Sequence, residues 1–214
     1  MSLTAIDCIV FTGFLISLTV YFQPPYLLYL KIFPLYFFGT FVVGLIEEYL
    51  AIHGRNNTIY YNTWGAIEFC FYFFVLREII VNSIVRRIIL YVLVLYPLTS
   101  IILIHFHVAS AFNAYNFTIG CLITALFCIY YFIELFQEPD AKSLASIPAF
   151  WIVTAILFSD VLTFPTFAFI NFIKVTPKII VRNITAILII INLFTIVSYS
   201  IGFLCRIRIR KSSL

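Results

Sequence analysis

Apolar runs of about twenty residues, each closed by a short polar or proline-bearing stretch, recur seven times along the chain. A helix needs about 20 largely apolar residues to cross a hydrocarbon core of about 30 Å. The pattern therefore predicts an all-α integral membrane fold, a single seven-helix transmembrane bundle filling residues 1–214. The first span covers about 3–22 and stops at Gln23-Pro24-Pro25, where successive prolines cannot continue a helix. The second covers about 28–51, with Pro34 in its first turns, and meets the polar stretch His53-Gly54-Arg55-Asn56-Asn57-Thr58. The third covers about 59–81, with Arg77 and Glu78 near its end.

No Asp, Glu, Lys or Arg occurs between Ile88 and Ile133, a stretch too long for one crossing. It divides at His105 to Asn113 into spans of about 87–106 and 113–136. Gln137 to Ser146 reads as the longest loop, and spans of about 147–173 and 179–205 follow, parted by Lys174-Val175-Thr176-Pro177-Lys178. The first span lacks the basic leader of a signal peptide and carries Asp7, so it reads as a retained helix.

Composition removes most other classes. Hydrophobic residues make up 64% and charged residues 10% of the chain, against about 25% charged in soluble domains. A net charge of +4 supplies no dense cationic face for nucleic acid. The five cysteines fall inside spans without a Cys-x-x-Cys pair and read as small packing residues.

Lys and Arg near short loops stay on the cytoplasmic side. Lys31, Arg77, Arg86, Arg87, Lys142, Arg206, Arg208, Arg210 and Lys211 fall on one face. Arg55, Lys174, Lys178 and Arg182 fall on the other. Nine cations against four put the C-terminus inside and the N-terminus outside, in what reads as a bacterial inner membrane. The cluster Arg206 to Lys211 suits anionic headgroups or a cytoplasmic partner.

Ionisable groups at membrane depth cost about 2.5–3.5 kcal/mol each on insertion scales and mark candidate sites. In this orientation they gather toward the outer half. Glu47 and Glu48 lie near the outer end of span two, Glu68 about nine residues or roughly 13 Å below the outer end of span three, and Asp160 near the middle of span six. Small and polar residues recur at helical spacing as Thr40, Gly44 and Glu47 or Glu48, as Asn113, Asn116, Gly120 and Thr124, and as Asn192, Thr195, Tyr199 and Gly202. These stripes are expected to face other helices, with Phe112, Ile119 and Ile123 leaning toward lipid. Glu47, Glu48, Glu68, Asn113, Asn116 and Asp160 are the candidate ligand-binding residues, with Glu68 and Asp160 expected to line one cavity opening outward. His105 and His107 are a weaker metal candidate, because two residues apart on a helix they point about 200° apart. Trp64, Tyr60 and Tyr61 read as interfacial aromatic anchors. No catalytic residue or cofactor is called for.

Tyr61-Asn62-Thr63-Trp64-Gly65-Ala66-Ile67-Glu68-Phe69, Phe112-Asn113-Ala114-Tyr115, Phe150-Trp151-Ile152 and Tyr29-Leu30-Lys31-Ile32-Phe33-Pro34 form a familiar set. Together they resemble a group of small seven-helix membrane proteins of Bacteroidota without assigned activity, often found beside sensor histidine kinases. The resemblance implies a sensing or signalling role and carries over no catalytic residue. Leu157-Phe158-Ser159-Asp160 is similar to a Ser-Asp element of lysoplasmalogenase-like membrane enzymes, which have eight helices. Span seven holds no lysine at mid-depth for a retinal Schiff base, against a rhodopsin.

Three functions remain open. A sensor module would bind a ligand at the outer pocket and act through a separate cytoplasmic partner. A small transporter would need polar stripes reaching both faces, with Glu134 and Arg77 at the inner mouth. An intramembrane hydrolase would use Asp160 and Glu68. The orientation has a direct test: a reporter fused after Leu214 should be active only in its cytoplasmic format, and periplasmic activity would overturn the assignment.

Overall fold

The computed structural model describes residues 5–22, 27–106, 113–137, 144–170 and 178–212, with backbone alone for 105–106, 168–170, 178–183 and 206–212. No strand occurs among the described residues. The helices are α1 (Ala5–Ser17), α2 (Leu28–Lys31), α3 (Phe33–Ile52), α4 (Thr58–Ile79), α5 (Ser83–Phe106), α6 (Ala114–Gln137), α7 (Pro148–Ile170) and α8 (Lys178–Ser212). Short 3₁₀ turns extend α1 over Leu18–Phe22 and precede α7 at Leu144–Ser146.

Among the described residues six segments are long and apolar enough to cross a membrane: Ala5–Phe22, Leu28–Ile52, Ser83–Ile104, Ala114–Gln137, Pro148–Phe167 and Ile184–Cys205. They fit an integral, polytopic membrane protein. The remaining long helix, α4, falls short in hydropathy because it carries Asn62, Glu68, Arg77 and Glu78 among its 22 residues.

Local chemistry explains the helix ends. At the close of α1, Ser17 and Thr19 hydroxyls donate to the carbonyls of Phe14 and Ile16, three residues back, as the coil tightens into 3₁₀ form. The expected second span breaks at Ile32, since Pro34 has no amide to bond backward. The Tyr21 hydroxyl donates to the Lys31 carbonyl at that break (2.8 Å). After α3 the chain reverses through Gly54 at φ +66°, with Arg55 N–H donating to Leu50 O, and that left-handed geometry explains the glycine. Asn82 caps α5 by accepting the Ile84 and Val85 amides, so α5 starts at Ser83 rather than near residue 87. Arg86 and Arg87 sit in the first turns of the helix, where the charge pattern had suggested its boundary. Backbone helix in α8 runs on to Ser212, past the expected end near 205.

Neighbouring helices close a ring in the order α1, α3, α4, α6, α7, α8 and back to α1, with α5 outside it against α4 and α6. Burial follows this order: 17% of the span in α5 is buried against 39% in α8. The core is dominated by aromatic rings. Phe33 is fully buried and meets Phe71, Tyr199 and Phe203 edge-on, with centroids 5.0, 5.0 and 5.2 Å away.

The expected stripes mostly face neighbours. Asn116, Gly120 and Thr124 are buried, Asn113 is half-buried and Ile119 is exposed. Ile123 departs from expectation by packing against the core, because one position before Thr124 it stands only about 100° from the buried face. Phe112 lies outside the described residues. Thr195, Tyr199 and Gly202 are buried on α8. Gly44 faces α1, where a Cβ would stand 2.8 Å from Asp7 Oδ1. Trp64 is not a simple interfacial anchor, since its indole lies over Gly39 of α3 and stacks near Tyr36. Cys121 and Cys128 are buried as expected, whereas Cys8 is exposed.

Gly120 offers a tight contact to test, with two neighbouring rings in its way. A Cβ there would meet the Phe69 ring at 2.6 Å and the Tyr96 hydroxyl at 2.7 Å, whereas at Gly65 it would touch only Phe117 at 3.7 Å. Gly120→Ala should therefore destabilise the bundle by about 1–3 kcal/mol, and Gly65→Ala should stay within about 0.5 kcal/mol. Thermal unfolding in detergent micelles reads the difference.

Candidate functional site

The interior of the ring is where the polar side chains of several helices converge. Glu68 points inward from α4, and its Oε1 accepts hydrogen bonds from the hydroxyls of Tyr36 on α3 (2.6 Å) and Tyr72 (2.7 Å). Tyr72 lies four residues beyond Glu68, one helical turn along the same face. The two hydroxyls are 3.3 Å apart. Tyr36 is fixed by the Phe71 ring, stacked on it at 4.1 Å with planes 4° apart.

Asp160 of α7 enters the same interior, 3% exposed, beside the Thr124 hydroxyl of α6 and within electrostatic range of Glu68. Thr124 spends its own proton on the Gly120 carbonyl (2.9 Å). Oδ2 of Asp160 has no hydrogen-bond partner. Tyr199 of α8, 1% exposed, lies beside Tyr72 and within electrostatic range of both carboxyls, and its hydroxyl also lacks a partner. Five ring helices thus meet at one cluster, with an orphaned acceptor on α7 and an orphaned donor on α8.

The balance differs between the two acids. Hydrogen bonds to a charged group contribute about 1.5–3 kcal/mol each, so the two tyrosine hydroxyls offset much of the cost of burying the Glu68 carboxyl among apolar side chains. Asp160 has no such pair of donors. It is the less satisfied acid.

The other candidate residues form separate groups. Asn113 N–H donates to Asn62 Oδ1 (2.9 Å), tying the start of α6 to α4. Asn113 Oδ1 accepts from Asn116 N–H, and Asn116 exchanges hydrogen bonds with Ser100 of α5 (Nδ2 to Oγ 2.9 Å). Tyr96 donates to the Asn116 carbonyl (3.1 Å). A small crevice lined by Tyr61, Asn62, Gly65, Ala66, Tyr96, Asn113, Asn116 and Phe117 lies against this network, with room for about one water (about 10 Å³). Glu47 is hydrogen-bonded with Tyr61 and within electrostatic range of Asp7, while Glu48 Oε2 is buried without a partner. Neither Glu68 nor Asp160 lines the two cavities described.

Among the described residues no three His, Cys, Asp or Glu side chains gather as a metal site. The His105 side chain and all of His107 lie outside what is described. At the opposite end Glu134 of α6 accepts the Val81 and Asn82 amides of the α4–α5 turn (2.9 and 2.8 Å). Arg77 is paired with Glu78 (2.7 Å). Both candidates for an inner mouth are therefore held in structural bonds.

Sequence reasoning singled out Glu68 and Asp160 but missed Tyr36 and Tyr72. Tyr72 carried a signal, its i+4 spacing from Glu68. Tyr36, 32 residues earlier on another helix, carried none. No protein-family profile matches the chain, and neither does any curated protein or solved structure.

The Tyr36–Glu68 bond should emerge in a double-mutant cycle. Tyr36→Phe and Glu68→Leu, measured singly and together by unfolding in micelles, should couple by about 1 kcal/mol or more. Additivity within about 0.3 kcal/mol would show that the bond does not hold α3 to α4.

Proposed function

We propose that the protein is a membrane sensor module of the bacterial inner membrane, with α4 as a seventh crossing, the N-terminus outside and the C-terminus cytoplasmic. In this reading the interior acid–tyrosine cluster sets the position of α8, and α8 carries that position to a separate cytoplasmic partner. The observation that supports it most is the continuity of α8. The same unbroken helix bears Tyr199 in the cluster and extends through Arg206–Lys211 to Ser212.

The energetics suit a two-state element. An orphaned hydroxyl on α8 and an orphaned carboxyl oxygen on α7 each leave about 1–3 kcal/mol unrecovered. A stimulus that satisfies one of them, through a ligand's polar group or a shift of α8, would change populations by roughly 5- to 150-fold. Likeness to the small seven-helix proteins found beside histidine kinases points the same way. Transport is less well supported, because Glu134 and Arg77 are occupied in the α4–α5 turn and the Glu78 pair. Hydrolysis is less well supported because the two carboxyls line neither described cavity.

The test is a distance measurement. Spin labels at Ser83 and Ser212, on the ends of α5 and α8, report the position of α8 in vesicles. Tyr199→Phe and Asp160→Asn should each shift the distance distribution while the protein remains inserted and folded. An unchanged distribution in both variants would overturn the reading.

A further inference from the structure

The larger described cavity lies between α4 and α5, and nothing in the acid–tyrosine cluster accounts for it. It is a groove of about 620 Å³ running from Ile59 past Ala66 to Cys70 on α4, and along Pro97, Ile101 and Ile104 on α5. This volume falls within the range of about 300–1,000 Å³ usual for ligand sites. From Ile59 to Cys70 the helix rises about 16 Å at about 1.5 Å per residue. That is close to half of a hydrocarbon core of about 30 Å, the depth of one leaflet.

Its lining is almost wholly apolar. The floor residue Ser100 is 1% exposed and turns its hydroxyl to the Tyr96 carbonyl (2.8 Å) and to Asn116, so it offers the groove no hydrogen bond. Thr63 is the other polar lining residue, and its one hydroxyl is too few for a held water, which needs two to four polar partners. The rim is apolar as well: Ile59, Ile67 and Ile101 are 45%, 47% and 64% exposed. In a membrane-spanning pair of helices that rim opens onto hydrocarbon. The groove also sits at the end of the bundle that carries Asn62, Asn113 and Asn116, since Ala66 lines both it and the polar crevice.

We propose that the α4–α5 groove is a binding site for one acyl chain of a membrane phospholipid, drawn from the leaflet at the Asn113 end. The site rests on the proposed crossing of α4 but not on the sensor reading. It uses the face of α4 that carries Ala66 and Cys70, not Glu68.

The test uses the full chain in vesicles of phosphatidylethanolamine and phosphatidylglycerol containing a phospholipid with a diazirine in one acyl chain. After photolysis, adducts are mapped by peptide mass spectrometry, with exposed Leu122, Leu126 and Ile129 of α6 as the comparison surface. Adducts at Ala66, Cys70 and Ile104 should exceed those on the α6 surface several-fold. Ala66→Trp, which fills the floor, should remove most groove adducts and leave the α6 yield unchanged. Ile101→Trp, on the exposed rim, should do the same by blocking the mouth, and it serves where Ala66→Trp fails to fold. Groove adducts no more frequent than those on α6, or undiminished in a folded variant, would overturn the proposal.

Discussion

Everything in the bundle is arranged around one helix that is poorly suited to lipid. α4 carries an amide, two carboxylates and a guanidinium, and its mean hydropathy falls below that of the other six long segments. It is tolerable in a membrane only where protein replaces lipid around its polar face. α3, α6 and α7 supply that enclosure on the ring side, and α5 covers part of the other. The tyrosines at positions 36 and 72 complete it by satisfying Glu68 directly. Remove that enclosure and the reason for the ring order disappears.

The same constraint explains why the interior is aromatic rather than aliphatic. Between membrane helices the hydrophobic effect contributes little, because lipid tails are as apolar as leucine. Cohesion must come from shape and directed contacts. Phe33, Phe71 and Tyr199 supply edge-on ring contacts, while the hydroxyls of Tyr36 and Tyr96 bond a neighbouring helix and that of Tyr72 bonds Glu68 within α4. Tyr199 has the ring contact without the hydroxyl bond, which sets it apart from the others.

Much of this was readable from the chain. Proline pairs, polar stretches and the length of hydrocarbon fixed the helices closely: α6 covers Ala114–Gln137 where 113–136 was expected, and α7 covers Pro148–Ile170 where 147–173 was expected. Helical spacing also placed Gly120, Thr124 and Tyr199 on inward faces. The start of α5 was misjudged because Arg86 and Arg87 resembled a boundary, whereas Asn82 provides the cap that decides it. The pairing of helices was not legible, since one helix period looks the same whichever neighbour it meets. Glu68 could be marked as expensive, yet the hydroxyl from Tyr36 that relieves it depended on α3 lying beside α4. Asn113 and Asn116 were seen as one stripe with Thr124, but the structure divides them, giving the asparagines to α4 and α5 and the threonine to Asp160.

The carboxylate of Glu134 bears on the order in which the protein is made. Chains emerge N-terminus first, at about 5–20 residues per second, so α4 and α5 are synthesised before α6. The Val81 and Asn82 amides of their turn find their acceptor more than fifty residues downstream. Until then the two amides depend on water or another acceptor. The clasp closes only when α6 has entered with its C-terminal end at that same surface. An α6 threaded the wrong way round would leave both amides without this acceptor and the Glu134 carboxylate without these donors.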